Sequence, residues 1–294
     1  MTRDYEKIEE EIKEQAKEWL ENDDVNYLIG YEKGSDPLIA RPVFIRTPED
    51  ADRLVWNQGC VNNLTRFLVE NIRKEKDTTI GIVVKPCDSK AIVELIKENV
   101  LPRERMKIIG VTCEGMIDKD KEEDDTLADK CQVCTTHNPV IADVVFGPEV
   151  EEDFTDEYQD IQDIEEMDVE ERWEYWEDQL SKCIRCYACR DVCPMCYCEE
   201  CVFEREKPHR WLDKSVTKED NFFYHMIRAL HLAGRCIDCG ECERVCPMDI
   251  PIRKMNRILE KCVKKRFDLK PGMDVDDKSL FGSYDKDDPE EVIV

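Results

Sequence analysis

Apolar residues recur at helical spacing from the start of the chain: Ile8, Ile12, Ala16, Trp19 and Leu20 share one face between acidic positions. This predicts an amphipathic helix over residues 5–21. Short apolar runs follow at Val25–Ile29 and Val43–Ile45, and a helix is expected from Cys60 to about Asn71. Thr79–Val84 reads as a buried strand. Pro86-Cys87-Asp88-Ser89 comes next and opens a helix through Asn99, with Asp88 or Ser89 as its N-cap. Lys107–Val111 reads as a second buried strand, close to Cys113, and Val140–Phe146 as a third. Strands alternating with helices predict an α/β domain with a parallel sheet over residues 1–150.

The pattern changes after residue 150. Residues 151–178 hold fifteen acids and one base, Arg172. Residues 151–180 read as a linker, or as an exposed helix toward Trp173, Trp176 and Leu180. Such a run is a solvated spacer or a docking surface for a basic partner, the spacer being the plainer reading. Further on, Phe222, Phe223, Tyr224, Met226, Leu230 and Leu232 fit the packed face of a helix. Residues 268–294 are acidic again and read as a tail that wraps a partner.

Composition narrows the class. Charged residues make up 38% of the chain, and no stretch approaches the length of apolar sequence a membrane span needs. The N-terminus is acidic and lacks a signal-like apolar core, so a cytoplasmic location is expected. The net charge of −26 argues against nucleic-acid binding, which needs clustered Lys and Arg. Residues 181–267 are the one stretch with a positive balance, about +5. Positive charge there suits anionic metal centres.

The 17 cysteines decide the chemistry. In a reducing compartment they are metal ligands rather than disulfides. Two runs match C-x2-C-x2-C-x3-C-P: Cys183, Cys186, Cys189 and Cys193 before Pro194, and Cys236, Cys239, Cys242 and Cys246 before Pro247. Three cysteines two residues apart wrap one cubane, while the fourth points away and ligates the other cluster. The expected sets are Cys183, Cys186, Cys189 and Cys246 for one [4Fe–4S] cluster, and Cys236, Cys239, Cys242 and Cys193 for the second. Zinc sites use paired cysteines, four sulfurs per ion, which this repeat does not match. Residues 181–267 are therefore expected to be an α-helical, bacterial-type dicluster ferredoxin-like domain. Arg185, Arg190, Arg235 and Arg244 lie in or beside the runs and are expected to raise the cluster potentials.

Other cysteines remain. Cys196, Cys198 and Cys201 form a candidate further site in the long segment between the runs, with buried free thiols as the plainer alternative. Cys60, Cys87, Cys113, Cys131 and Cys134 lie in the first domain. Cys87 and Cys113 each follow a predicted parallel strand, at the end where open α/β sheets place their sites. Cys131-x2-Cys134 has two-ligand spacing. The five are candidate ligands of a third cluster, or in part small buried apolar residues. His137, His209, His225 and His231 are more often structural than ligating. No GxGxxG or P-loop pattern occurs, and Gly81, Gly110 and Gly115 are a weak signal for flavin phosphate.

The run KCIRCYACRDVCPMCYCEEC (182–201), with CIDCGECERVCP (236–247), resembles the C-terminal part of the β subunits of coenzyme F420-dependent formate dehydrogenases. It is similar also to the F420-reducing hydrogenase β-subunit family. VVKPCDSKAI (83–92) and GVTCEGMID (110–118) resemble elements of that family's N-terminal domain, here in reduced form, and of iron–sulfur subunits of anaerobic sulfite reductases and sulfhydrogenases. The resemblance implies an iron–sulfur electron-transfer subunit of an anaerobic oxidoreductase complex. Its partner would be a catalytic subunit of formate dehydrogenase, hydrogenase or heterodisulfide-reductase-like type. On this reading the chain relays electrons and has no bond chemistry or catalytic residue of its own. The alternative is a β subunit that binds FAD and itself oxidises or reduces F420 or NAD(P)H. A scaffold or redox sensor is the third reading.

Overall fold

The computed structural model describes residues 4–36, 38–118, 126–152, 155, 157–205 and 210–282. The chain forms two compact units. The first is Met1–Glu157 with Gly272–Ser279, and the second is Tyr158–Pro271 with Leu280–Val294.

In the first unit, α1 (Tyr5–Glu21) is capped by Asp4, whose carboxylate accepts from Lys7 N at 3.0 Å. It buries Ile8, Ile12, Ala16, Trp19 and Leu20. The strands are β1 (Tyr27–Lys33), β2 (Ala40–Ile45), β3 (Ile80–Val84), β4 (Met106–Val111) and β5 (Val144–Phe146). They form one sheet in the order β2-β1-β3-β4-β5. β1, β3, β4 and β5 run parallel, while β2 is antiparallel to β1. The sheet is thus mixed rather than wholly parallel. Pro42 marks β2 as an edge strand, because a proline has no N–H for a second ladder. β3 is buried at every position, as a strand covered on both faces must be.

The helices α2 (Thr65–Lys74) and α3 (Pro86–Lys97) flank β3 in sequence. α2 starts five residues later than its apolar pattern suggests, because Asn57–Cys60 closes a turn of its own. α3 starts before Asp88 rather than at it. Pro86 fits the first helical position, where no N–H is needed. Asp88 then sits at the third position and accepts the N–H of Lys85 at 3.1 Å. A short helix, α4 (Asp129–Gln132), carries Cys131.

Gly272 anchors a late segment on the first unit. Its N–H donates to Glu94 at 3.0 Å, and its φ is +76°. An added Cβ would lie 2.5 Å from the carbonyl oxygen of Lys90. Gly272→Ala is expected to cost about 1–3 kcal/mol through strain and displacement. Guanidinium unfolding of the full chain reads this, and a loss below ~0.5 kcal/mol would contradict it.

The second unit holds α5 (Gln162–Glu166), α6 (Val169–Ser181), α7 (Ala188–Asp191), α8 (Lys218–Leu232), α9 (Glu241–Arg244) and α10 (Ile252–Phe267). The acidic run is structured here. Asp168 caps α6 in a capping box with Glu171. Trp176 and Leu180 are buried, and Trp173 packs against Phe222 of α8 with tilted rings 4.8 Å apart. Asp160, Asp163 and Glu165 pair with Arg253, Lys254 and Lys261 of the basic α10. Much of the local basic charge is therefore neutralised by this acidic run. Tyr224 and Leu232 lie in the core of the unit as their spacing suggests, whereas Met226 and Leu230 are exposed. No helix among the described residues is long and apolar enough to cross a membrane. His209 and residues 283–294 of the acidic tail lie outside the described residues.

Candidate metal centres

The two cysteine runs fold as a repeat. Each has left-handed residues at matching places: Arg185 and Tyr187 in the first, Asp238 and Gly240 in the second, with φ between 56° and 70°. These turns reverse the chain, so that the N–H two residues on points back at the first sulfur. Arg185 N donates to Cys183 Sγ at 3.3 Å, and Asp238 N makes the equivalent bond to Cys236. A four-residue helix then follows in each run, α7 or α9, and presents the third cysteine.

The repeat encloses two cavities. One is lined by Cys183, Cys186, Cys189 and Cys246, together with Tyr224 and His225 of α8. The other is lined by Cys193, Cys236, Cys239 and Cys242, together with Arg228. Each cavity draws three cysteines from one run and the fourth from the other. Such a donor set, soft thiols without a carboxylate in the first cavity and with Asp238 alone in the second, fits an iron–sulfur cluster.

Electrostatics point the same way. Burial pushes the thiols of Cys236 and Cys242 up to about 12, and those of Cys183 and Cys189 up as well. Thiolates at these places need a strong positive charge beside them, which bound metal supplies while releasing protons. Arg228 opposes the rise at Cys189 and Cys242.

The motif arginines have other duties. Arg244 makes two bonds to Glu241, and Arg190 pairs with Asp191 and Glu204. Arg185 donates to the carbonyls of Asp213 and Ser215, and Arg235 to those of His231 and Met195. Arg228, on α8 outside both motifs, has a charge that faces the sulfurs of Cys189, Cys193, Cys196 and Cys242.

Of the remaining cysteines, Cys262 on α10 is exposed, and the others divide into two groups. Cys196 turns toward Cys193 and Arg228, Cys201 faces Arg190, and Cys198 is exposed. In the first unit, Cys87 and Cys113 follow the carboxyl ends of β3 and β4. Cys113 lies within electrostatic reach of Cys87, Cys131 and Cys134, and burial pushes its thiol up to about 12. Met116 N donates to Cys131 Sγ and Gly115 N to Cys113 Sγ, both at 3.3 Å. Cys60 is fully buried and bonded within its own turn, to Asn57 N and Val55 O. Lys85, buried between Cys60 and Cys87, donates to Tyr31 Oη, Asn62 O and Asp88 Oδ2. The charge of Asp88 holds Lys85 protonated. His137 Nδ1 donates its N–H to the carbonyl of Cys113 at 2.8 Å, and His231 is exposed.

Residues 179–250, which hold both cysteine runs, match the 4Fe-4S dicluster domain. Among curated proteins the chain is similar to the F420-dependent formate dehydrogenase subunit beta of Methanocaldococcus jannaschii. That match is 33% identical over 93 residues, 32% of this chain and only 24% of the relative. The F420-dependent formate dehydrogenase 1 subunit beta of Methanococcus maripaludis is 25% identical over 342 aligned positions, covering 85% of this chain and 87% of the relative. A chain from the F420-reducing [NiFe] hydrogenase complex of Methanosarcina barkeri aligns over 40% of this chain and 44% of its own length. Its TM-score is 0.32 at 17% identity, too slight a likeness to transfer a fold.

Proposed function

We propose that this chain is an electron-relay subunit of a hetero-oligomeric oxidoreductase, passing electrons between a catalytic subunit and another carrier through two [4Fe–4S] clusters. One observation carries the reading: the exchange of Cys193 and Cys246 between the two cysteine-lined cavities. Exchanged ligands hold two cubanes side by side, which short-range electron hopping requires. The similarity to formate dehydrogenase beta subunits supports a redox complex as the setting. Cys183, Cys186, Cys189 and Cys246 would hold one cluster, and Cys193, Cys236, Cys239 and Cys242 the other.

A third cluster in the first unit belongs to the same reading. Cys87, Cys113, Cys131 and Cys134 are its ligands, gathered where β3 and β4 end, with Cys60 behind Lys85 as a buried structural thiol. When bound, the clusters supply one-electron acceptance. The chain's own residues hold them, exclude water, and direct N–H groups at their sulfurs.

Flavin content and reduction kinetics test the relay. Anaerobically purified full chain is expected to carry no stoichiometric flavin, and its clusters should reduce rapidly with a low-potential donor and reoxidise with an acceptor dye. A flavin spectrum near one per chain would move the assignment to a β subunit that itself handles F420 or NAD(P)H. Clusters that fail to cycle would leave only a structural role.

A further inference from the structure

The segment between the two cysteine runs supplies a helix with an unusual buried face. α8 carries Tyr224, His225 and Arg228, with exposures of 1%, 2% and 5%. Neither ring nitrogen of His225 has a hydrogen-bond partner, and Nε of Arg228 has none either. Buried polar groups are nearly always paired, so three such atoms on one helix face require an explanation. Their placement gives it. His225 lines the cavity of Cys183, Cys186, Cys189 and Cys246, and Arg228 lines the cavity of Cys193, Cys236, Cys239 and Cys242. Tyr224 Oη lies 3.8 Å from Cys189 Sγ.

Arg228 is the sharper case. A lone buried guanidinium costs several kcal/mol. No carboxylate among the described residues pairs with it. It donates to the carbonyl of Cys189 at 2.9 Å, and its charged neighbours are the sulfurs of Cys189, Cys193, Cys196 and Cys242. Cys189 belongs to the first ligand set and Cys193 and Cys242 to the second, so the cation that lines the second cavity also reaches a ligand of the first. The imidazole of His225, on the wall of the first cavity, carries at least one N–H to donate in either protonation state.

We propose that α8 sets the cluster potentials, with Arg228 as the buried counter-charge shared by both clusters and His225 as an N–H donor to the first. The inference rests on the cluster assignment of the preceding subsection. Reduction makes a cluster more negative, so a fixed cation and N–H donors stabilise the reduced form and raise its potential. Both are positioning residues: neither ligates iron.

Four variants of the full chain test this: R228M, R228K, H225L and H225Q. Each is purified anaerobically, assayed for iron and sulfide, and titrated by EPR. R228M should lower both midpoint potentials, by tenfold or more in the reduction equilibrium, ~59 mV for one electron. R228K should recover most of that shift. H225L should lower one potential only, and H225Q, which keeps a donor, should restore it. If R228M loads no iron while R228K loads normally, the clusters require the buried cation itself, and the potentials of R228K, H225L and H225Q then decide the proposal. Fully loaded R228M and H225L with unchanged potentials would overturn it. A parent chain without iron would instead overturn the cluster assignment itself.

Discussion

Replacing Cys193 by Ala is expected to remove the cluster of Cys236, Cys239 and Cys242, and to leave that of Cys183, Cys186 and Cys189 in place. The loss would fall on ligands more than forty residues along the chain rather than on neighbours within the same motif. The reason lies in the backbone. Left-handed Arg185 and Tyr187 curl the first three cysteines around one cavity, and α7 then carries the chain across so that Cys193 lines the other. Cys246→Ala should do the reverse. Iron should fall by one cluster's worth in each variant, and the broadening of the EPR signal by spin–spin coupling between neighbouring clusters should vanish. Retained coupling in Cys193→Ala would contradict the exchange of ligands.

The second large effect is on stability. Lys85 and Asp88 form an ion pair at 2.9 Å with side-chain exposures of 1% and 0%. Lys85→Met leaves Asp88 as a buried carboxylate without its counter-charge and removes one donor each from Tyr31 Oη and Asn62 O. Breaking one side of such a pair costs about 3–5 kcal/mol. Guanidinium unfolding followed by circular dichroism should show the first unit losing that much. Lys85→Met combined with Asp88→Leu should recover a good part of it, because removing both charges removes the uncompensated one. A single-variant loss under ~1 kcal/mol would mean that water or another cation compensates Asp88.

What the sequence made legible follows from periodicity and spacing. The five apolar positions of α1 were visible because 3.6-residue repetition leaves a clear trace, and all five are buried. β3 and β4 were visible as apolar runs of strand length. The antiparallel edge strand was harder: Val43–Ile45 shows that a strand exists, but not its direction, and only Pro42 hints at an edge. The two cysteine runs were legible because the spacing itself is the geometry. Residues 158–181 were not, since a charge run looks the same whether water or α10 neutralises it.

The tuning residues were the least legible. Arg244 stands inside a motif, yet Glu241 three positions earlier on the same turn absorbs its charge. Arg228 and His225 lie in a helix with no spacing relation to any cysteine. Only packing brings them to the cavities. Asp88 was read as a cap, and its second partnership, with the Lys85 side chain, depends on burial that no local pattern encodes.

The most direct measurement is the iron, zinc and acid-labile sulfide content of the full chain isolated without oxygen, joined to EPR of its reduced form. Paired cubanes should give a brown protein with iron and sulfide in equal amounts, at least two four-iron clusters per chain, and a spectrum split by their mutual coupling. Zinc in place of iron, a colourless chain, or one magnetically isolated cluster would contradict the twin-cavity assignment.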